Sequence, residues 1–391
     1  MTGSSGSAVC AGTDDGPPVR PPRPRFFATA TLALPMVLAM TATPPAGGAD
    51  DAGRRLEATV ERIVGGFLAR YRIPGCSVAL GDAARIRLAR GYGLAAPGRP
   101  ASPASIYRIG SLTKQFTAAL TLLSMREGAI AGPRLAIDTP LSDFFPRRFA
   151  ASPITIRDLL THTSGLASYT DGPAYRHHSD EPISTARMLD RIARARLRTR
   201  PGRRGNYSNS NYYLLARILE ARHRIPFGDL ARRRLFRPLG MAATATISNR
   251  PLSDDEALGA GRHGFGSRKT HPSWVLGAGD LQSSATDLAR WLQALLSGEV
   301  LTRPEREILF RAGPLNREPA VPGERFAMGW MDISAPGRRA FYHQGFVNGF
   351  SAIDYLEPAA AGTTGRFVVA LCNKSLVPAM PLLMRRLAEA M

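Results

Sequence analysis

Tyr107-Arg108-Ile109-Gly110-Ser111-Leu112-Thr113-Lys114-Gln115-Phe116-Thr117-Ala118 is the stretch on which the reading of this chain turns. Ser111 stands where a helix begins. That helix is expected to run through Arg126, with Phe116, Ala119, Leu120 and Leu123 on its apolar side and Gly128 as its stop. At a helix start, residues three apart share a face, so Lys114 can aim its amine at the Ser111 hydroxyl. A serine hydroxyl is a weak nucleophile until a base takes its proton. Lysine can do so when its surroundings lower its pKa, whereas arginine stays protonated. Only Lys114, Lys269 and Lys374 are lysines among the 51 basic residues; all the others are arginine. The competing reading is plain: Ser111 as a helix cap and Lys114 as a solvated charge.

Two further segments carry possible chemistry. Tyr207-Ser208-Asn209 lies in a Gly-, Asn- and Ser-rich turn before a helix expected from Asn211 to about His223. A phenol relays protons and an amide orients a lysine or a substrate, although a packed tyrosine before capping residues explains the same letters. His343-Gln344-Gly345 ends an expected strand, and glycine there permits close approach to the backbone.

The three segments, in this order, resemble those of the serine β-lactamase and penicillin-binding-protein-like hydrolases. The nearest branch holds class C β-lactamases, D-Ala-D-Ala carboxypeptidases, D-aminopeptidases and esterases. Leu159–Leu166 (LLTHTSGL), Tyr207–Leu215 (YSNSNYYLL), Pro238–Met241 (PLGM), Gly277–Leu281 (GAGDL) and Ala285–Trp291 (ATDLARW) extend the resemblance over about residues 55–375. It implies Ser111 as the acylated nucleophile, Lys114 as its activating base or electrostatic partner, and Tyr207 as the relay of the proton to the leaving group, with either Lys114 or Tyr207 as the base. Asn209 would orient Lys114 and the substrate. The backbone N–H groups of Ser111 and Phe346, just past Gly345, would form the oxyanion hole. His343 replaces the lysine of the β-lactamase branch, which points away from β-lactams and towards small esters, amides or peptides. The alternative is a catalytically silent relative that binds cell-wall peptide or a partner protein.

The remaining chain fits an α/β fold in which an antiparallel β-sheet is flanked by N- and C-terminal helices and holds an inserted, mostly helical domain, as in the β-lactamase/transpeptidase-like fold. The sheet domain is expected at 50–107 plus 320–391 and the helical one at 108–319. The elements behind this are a helix over 50–71 and strands at Cys76–Leu80, Ile86–Gly91, Ala340–Gln344, Phe350–Leu356 and Phe367–Cys372. A last helix covers about Pro378–Ala390. The resembling fold makes the first and last strands neighbours, which brings Cys76 near Cys372. Paired strands are expected to leave them as two buried thiols rather than a disulfide.

Residues 1–49 read as an export signal with an N-terminal extension. Arg20, Arg23 and Arg25 precede the apolar run Phe26–Met40, and small residues at Gly47 and Ala49 follow it. The chain is therefore expected to be exported, periplasmic or secreted, with a retained N-terminal anchor as the alternative. The net charge of +20 comes from scattered arginines rather than a basic–aromatic surface, so no nucleic-acid partner is expected. No cofactor is implied. His177-His178 lacks metal-ligand spacing, and no metal site is expected.

Overall fold

The computed structural model describes residues 47–391, apart from 129–131, 151, 248–253, 262–263, 268, 317–318, 320, 360–363 and 376. The expected export segment up to residue 46 lies outside the described residues. From Gly47 on, the chain forms one compact unit.

The chain opens with a helix, Gly47–Tyr71, which starts three residues before the expected boundary. Val60, Val64 and Phe67 recur at helical spacing and are buried. Pro74 and the left-handed Arg72 (φ +49°) end it.

An eight-stranded sheet follows. Its spatial order is Arg99–Pro100, Ile86–Ala96, Gly75–Gly81, Arg366–Cys372, Phe350–Glu357, Phe341–Val347, Met331–Asp332 and Arg325–Phe326. Each neighbouring pair is antiparallel. The first long strand thus lies beside the last, with Cys76 opposite Cys372. One face (Val78, Leu80, Ile353, Val368, Ala370) packs on Val60 and Val64 of the N-terminal helix and on Leu383 and Leu387 of the C-terminal helix Met380–Glu389. The other face (Ala79, Ala352, Leu356, Val369, Leu371) packs on Phe116, Leu288 and Leu292. Both faces are covered, so the central strands are buried along their length and read as apolar runs rather than alternating ones.

Cys76 and Cys372 form a disulfide with Cα atoms 4.1 Å apart, which corrects the expectation of free thiols. The reason lies in the ladder. Asn373 N–H donates to the Gly75 carbonyl (3.1 Å) and Gly75 N–H to Asn373 Oδ1 (2.8 Å), so the bonds between the two strands fall at this position. Cys76 and Cys372, one step along, form the non-hydrogen-bonded pair, where Cα atoms approach most closely and side chains leave the same face.

Between the sheet's two halves run the helices Thr113–Arg126, Asn209–His223 and Ala285–Ser297, with shorter ones among them. The Thr113–Arg126 helix is buried on all sides from Thr113 to Ser124. Its polar residues are therefore bonded inward: Thr117 Oγ1 donates to Gly277 O (2.7 Å), and Ser124 Oγ lies 2.7 Å from His223 Nε2. Among the described residues, no helix is long and apolar enough to cross a membrane.

Candidate active site

Ser111 sits in a single 3-10 turn, Gly110–Leu112, that leads into the Thr113–Arg126 helix. Amides in such a first turn have no acceptor within the helix. Gly110 has φ +53°, and a Cβ on it would lie 3.1 Å from the Phe346 backbone. Across the gap, a Cβ on Gly345 would meet Ile109 O at 2.0 Å and Ser111 N at 3.0 Å. The two glycines let the Phe341–Val347 strand lie directly against the serine turn. The expected strand ended at Gln344; the observed one continues past Gly345 to Val347. Val347 and Phe350 face each other across a two-residue turn. A Cβ on Gly110 would lie 3.1 Å from Phe346 N, so the Phe346 amide nitrogen borders the Ser111 turn.

Lys114 is fully buried. Its Nζ donates to Ser111 Oγ (3.1 Å), Asn209 Oδ1 (2.8 Å) and Ala278 O (2.7 Å). It also faces the Tyr207 and Tyr212 rings at 4.9 and 5.6 Å. Burial pushes its pKa well below the ordinary lysine value, and the buried Asp280 carboxyl partly opposes that shift. Asp280 accepts from Gly277 N–H (3.0 Å) and so braces the turn that presents the Ala278 carbonyl.

Tyr207 O–H donates to Ser111 Oγ at 2.8 Å. Burial raises the phenol far above its ordinary pKa, against the pull of this hydrogen bond. His162 supports the loop from behind. Its ring stacks on Tyr207 at 4.5 Å, its Nδ1 accepts Ser208 N–H (3.1 Å), and its carbonyl accepts Asn206 N–H (2.8 Å). A donor on Nδ1 fixes the Nε2–H tautomer, and burial first, then Lys114 and His343, keep the ring's pKa well below its usual value. Asn209, expected before the helix, is its first residue. Its Nδ2 donates to Thr170 Oγ1 (3.0 Å), which leaves Oδ1 facing Lys114.

His343 is buried beside the same cleft. Its Nδ1–H donates to Gly329 O at 2.7 Å, while Nε2 has no partner among the described residues. Burial and then the Lys114 charge push its pKa to about 3, against the Gly329 hydrogen bond. It is neutral at physiological pH. Behind it, Asp354 accepts the His343 backbone N–H (3.3 Å) and both of its oxygens accept from Gln115 Nε2.

All these groups converge on a cleft of about 370 Å³ whose walls include Ser111, Tyr207, Asn209, His343 and Phe346. The structure therefore brings together each site residue expected from the sequence. Gly345 stands one residue behind the cleft wall. The folded chain adds three features that the letters alone did not show: the Ala278 carbonyl on Lys114, the Gly329 carbonyl on His343, and a carboxylate, Glu324, in the wall. The Gly277–Leu281 motif marks the segment that supplies the first but does not show which atom it presents; a backbone acceptor on a coil leaves no sequence signal for the second.

A serine, a buried lysine and a tyrosine meeting at one hydroxyl, between a helix-flanked antiparallel sheet and a helical layer, define a protein of the β-lactamase/transpeptidase fold. The Beta-lactamase family model matches residues 60–390, and the chain belongs to the serine β-lactamase and penicillin-binding-protein-like hydrolase family. Its relatives include the Unguisins hydrolase ungD' of Aspergillus campestris, 28% identical over 332 residues, covering 79% of this chain and 61% of that protein. The D-alanyl-D-alanine-carboxypeptidase/endopeptidase AmpH of Escherichia coli K12 is 28% identical over 300 residues, covering 72% and 76%. The chain thus spans about three fifths of the first relative's length and three quarters of the second's. Among solved structures, the D-amino acid amidase of Ochrobactrum anthropi SV3 superposes with a TM-score of 0.74 at 24% identity, covering 86% of this chain and 98% of that one. A class C β-lactamase gives 0.72 at 19%, covering 86% and 96%. At such identities the structural likeness concerns the fold.

Proposed function

We propose that the protein hydrolyses small esters, amides or peptides through an acyl-enzyme on Ser111. The observation that carries this reading is the double hydrogen bond at one oxygen: Ser111 Oγ takes Tyr207 O–H at 2.8 Å and Lys114 N–H at 3.1 Å. The phenol's raised pKa keeps Tyr207 protonated in the resting enzyme, and the lowered pKa of Lys114 makes its neutral amine accessible. Lys114 therefore takes the Ser111 proton as Oγ bonds to the carbonyl carbon. The oxyanion that forms meets the N–H groups of Ser111 and Phe346. Tyr207 gives its proton to the departing amine or alkoxide as the C–N or C–O bond breaks, and is reprotonated from Lys114. Water then attacks the acyl carbon by the reverse path, releases the acid and returns the proton to Ser111.

A neutral His343 offers no charge to a substrate carboxylate. Ester or peptide turnover is therefore expected to exceed turnover of β-lactams. The Cys76–Cys372 disulfide supports an exported protein, because such bonds persist in oxidising compartments. The segment Phe26–Met40 behind three arginines supports the same reading. Labelling with a fluorophosphonate tests the function. The adduct is expected on Ser111 and should be lost in Ser111→Ala. A protein that resists labelling and turns over no ester or amide would be a silent binding relative instead.

A further inference from the structure

Three charged side chains line the cleft: Asp171, Arg198 and Glu324. The first two cancel, since Arg198 Nη2 donates to Asp171 Oδ2 at 2.7 Å. Glu324 is different. It is 2% exposed, and its partners among the described residues are neutral donors: the Tyr342 hydroxyl on Oε2 and the Asn316 amide on Oε1. Among the described residues, no basic side chain forms an ion pair with it. Carboxylates taken from water normally have a cation or several strong donors. Among the described residues, two of its roughly four lone-pair positions are used, and the carboxylate stands in the wall of the cleft in a chain of net charge +20.

Glu324 is placed to meet whatever reacts at Ser111. It precedes the Arg325–Phe326 edge strand, and the Phe326 ring lies 5.0 Å from His162 and 6.4 Å from Tyr207. Its partner Tyr342 is the chain neighbour of His343. The cleft volume of about 370 Å³ is at the small end of ligand sites. A substrate that fills it and reaches Ser111 also reaches the Glu324 wall.

We infer that Glu324 is the recognition group for a substrate bearing a primary ammonium near its scissile carbonyl, so that free-amine amides, esters or peptides are preferred over N-acylated or carboxylate-bearing ones. This rests on the Ser111 acyl-enzyme reading. An ammonium supplies the missing counter-ion and up to three donors for the open positions on the carboxylate. An N-acyl group supplies neither, and a carboxylate would face Glu324 with no unpaired cation in the wall to offset it. The exposed arginines elsewhere do not reverse this preference, since salt screens charges over roughly 10 Å.

The test compares racemic alanine p-nitroanilide with its N-acetyl derivative, using p-nitrophenyl acetate as a charge-free reference. The wild-type protein should favour the free amine in kcat/KM by about tenfold or more, the scale of a charge-assisted hydrogen bond. Glu324→Gln should bring that ratio near one, because the neutral amide no longer attracts the ammonium. The ratio is taken within one preparation, so a loss of folded protein cancels. Should Glu324→Gln not fold, protection of wild-type Ser111 from a fluorophosphonate by alaninamide, against N-acetylalaninamide, decides the matter; equal protection overturns the inference. A wild-type ratio at or below one overturns it, as does a ratio unchanged in Glu324→Gln, and in both cases turnover of p-nitrophenyl acetate keeps the Ser111 reading intact. Failure of every reagent to acylate Ser111 overturns both.

Discussion

Gly345 lies so close to Ile109 that a Cβ on it would stand 2.0 Å from the Ile109 carbonyl oxygen. That contact holds the Phe346 N–H at the Ser111 turn, and nothing larger than glycine fits it. Gly345→Ala must therefore move the strand away from the serine. Loss of one oxyanion donor costs on the order of a hundredfold or more in kcat, and that is the expected drop in ester hydrolysis. The contact joins two preformed elements, so far-UV circular dichroism should be unchanged. Wild-type turnover in Gly345→Ala would remove Phe346 from the proposed oxyanion hole.

Tyr207 makes two separable contacts: its hydroxyl with Ser111 and its ring with His162 at 4.5 Å. Tyr207→Phe deletes the first and retains the second. Acyl transfer should fall by about a hundredfold or more, the scale of positioned proton transfer, while the melting temperature should change little. A rate within threefold of wild type, measured on an amide with a poor leaving group, would assign the relay elsewhere.

Much of this was legible in the letters. Ser111, Lys114 and Tyr207 could be named because three short segments stand in an order that resembles one hydrolase family, and the rarity of lysine in this arginine-rich chain agreed with it. The long strands and terminal helices followed from apolar periodicity. What escaped was of two kinds. Two-residue strands such as Arg325–Phe326 and Met331–Asp332 carry no periodicity, so the sheet's far edge was invisible. The pairing of Cys76 with Cys372 was also misjudged, because hydrogen-bonded and non-hydrogen-bonded positions along a ladder differ by one residue of register. Glu324 escaped because only the folded cleft shows that its carboxylate is held by a phenol and an amide.

The disulfide gives a direct measurement. Intact-mass analysis of the protein from an oxidising compartment should show the loss of about two hydrogens per chain, restored by reduction after unfolding. The bond joins residues 296 apart in sequence. Replacing both cysteines by alanine should lower the unfolding free energy by roughly 2–5 kcal/mol, read by urea denaturation. The bond lies on the sheet face away from Ser111, so kcat on the best substrate should stay within about twofold, as distant changes usually do. An unshifted mass would return the pair to free thiols.

Lys114→Arg separates charge from basicity. By sequence alone the exchange looks harmless to the fold, since both residues favour helix. The structure says otherwise: Lys114 is fully buried and its Nζ is already within 3.1 Å of three acceptors, so a broader guanidinium must displace them. Guanidinium also stays protonated. Acylation should fall by about a hundredfold or more, whereas Lys269→Arg, at an exposed position, should stay within about twofold. The pH behaviour is the sharper check. In wild type, acylation should rise as Lys114 loses its proton, along a limb below the ordinary lysine value, and the variant should lack that limb. Stability carries the same signature. The lowered native pKa means the unfolded chain binds more protons, so wild-type stability is full above the ordinary lysine pKa and is lost as pH falls through the native one. The arginine variant has no such relief, and its deficit in melting temperature should widen as pH rises. A variant that kept the rising limb would show that another group deprotonates Ser111, and Lys114 would then serve only to hold Asn209 and Ala278 in place.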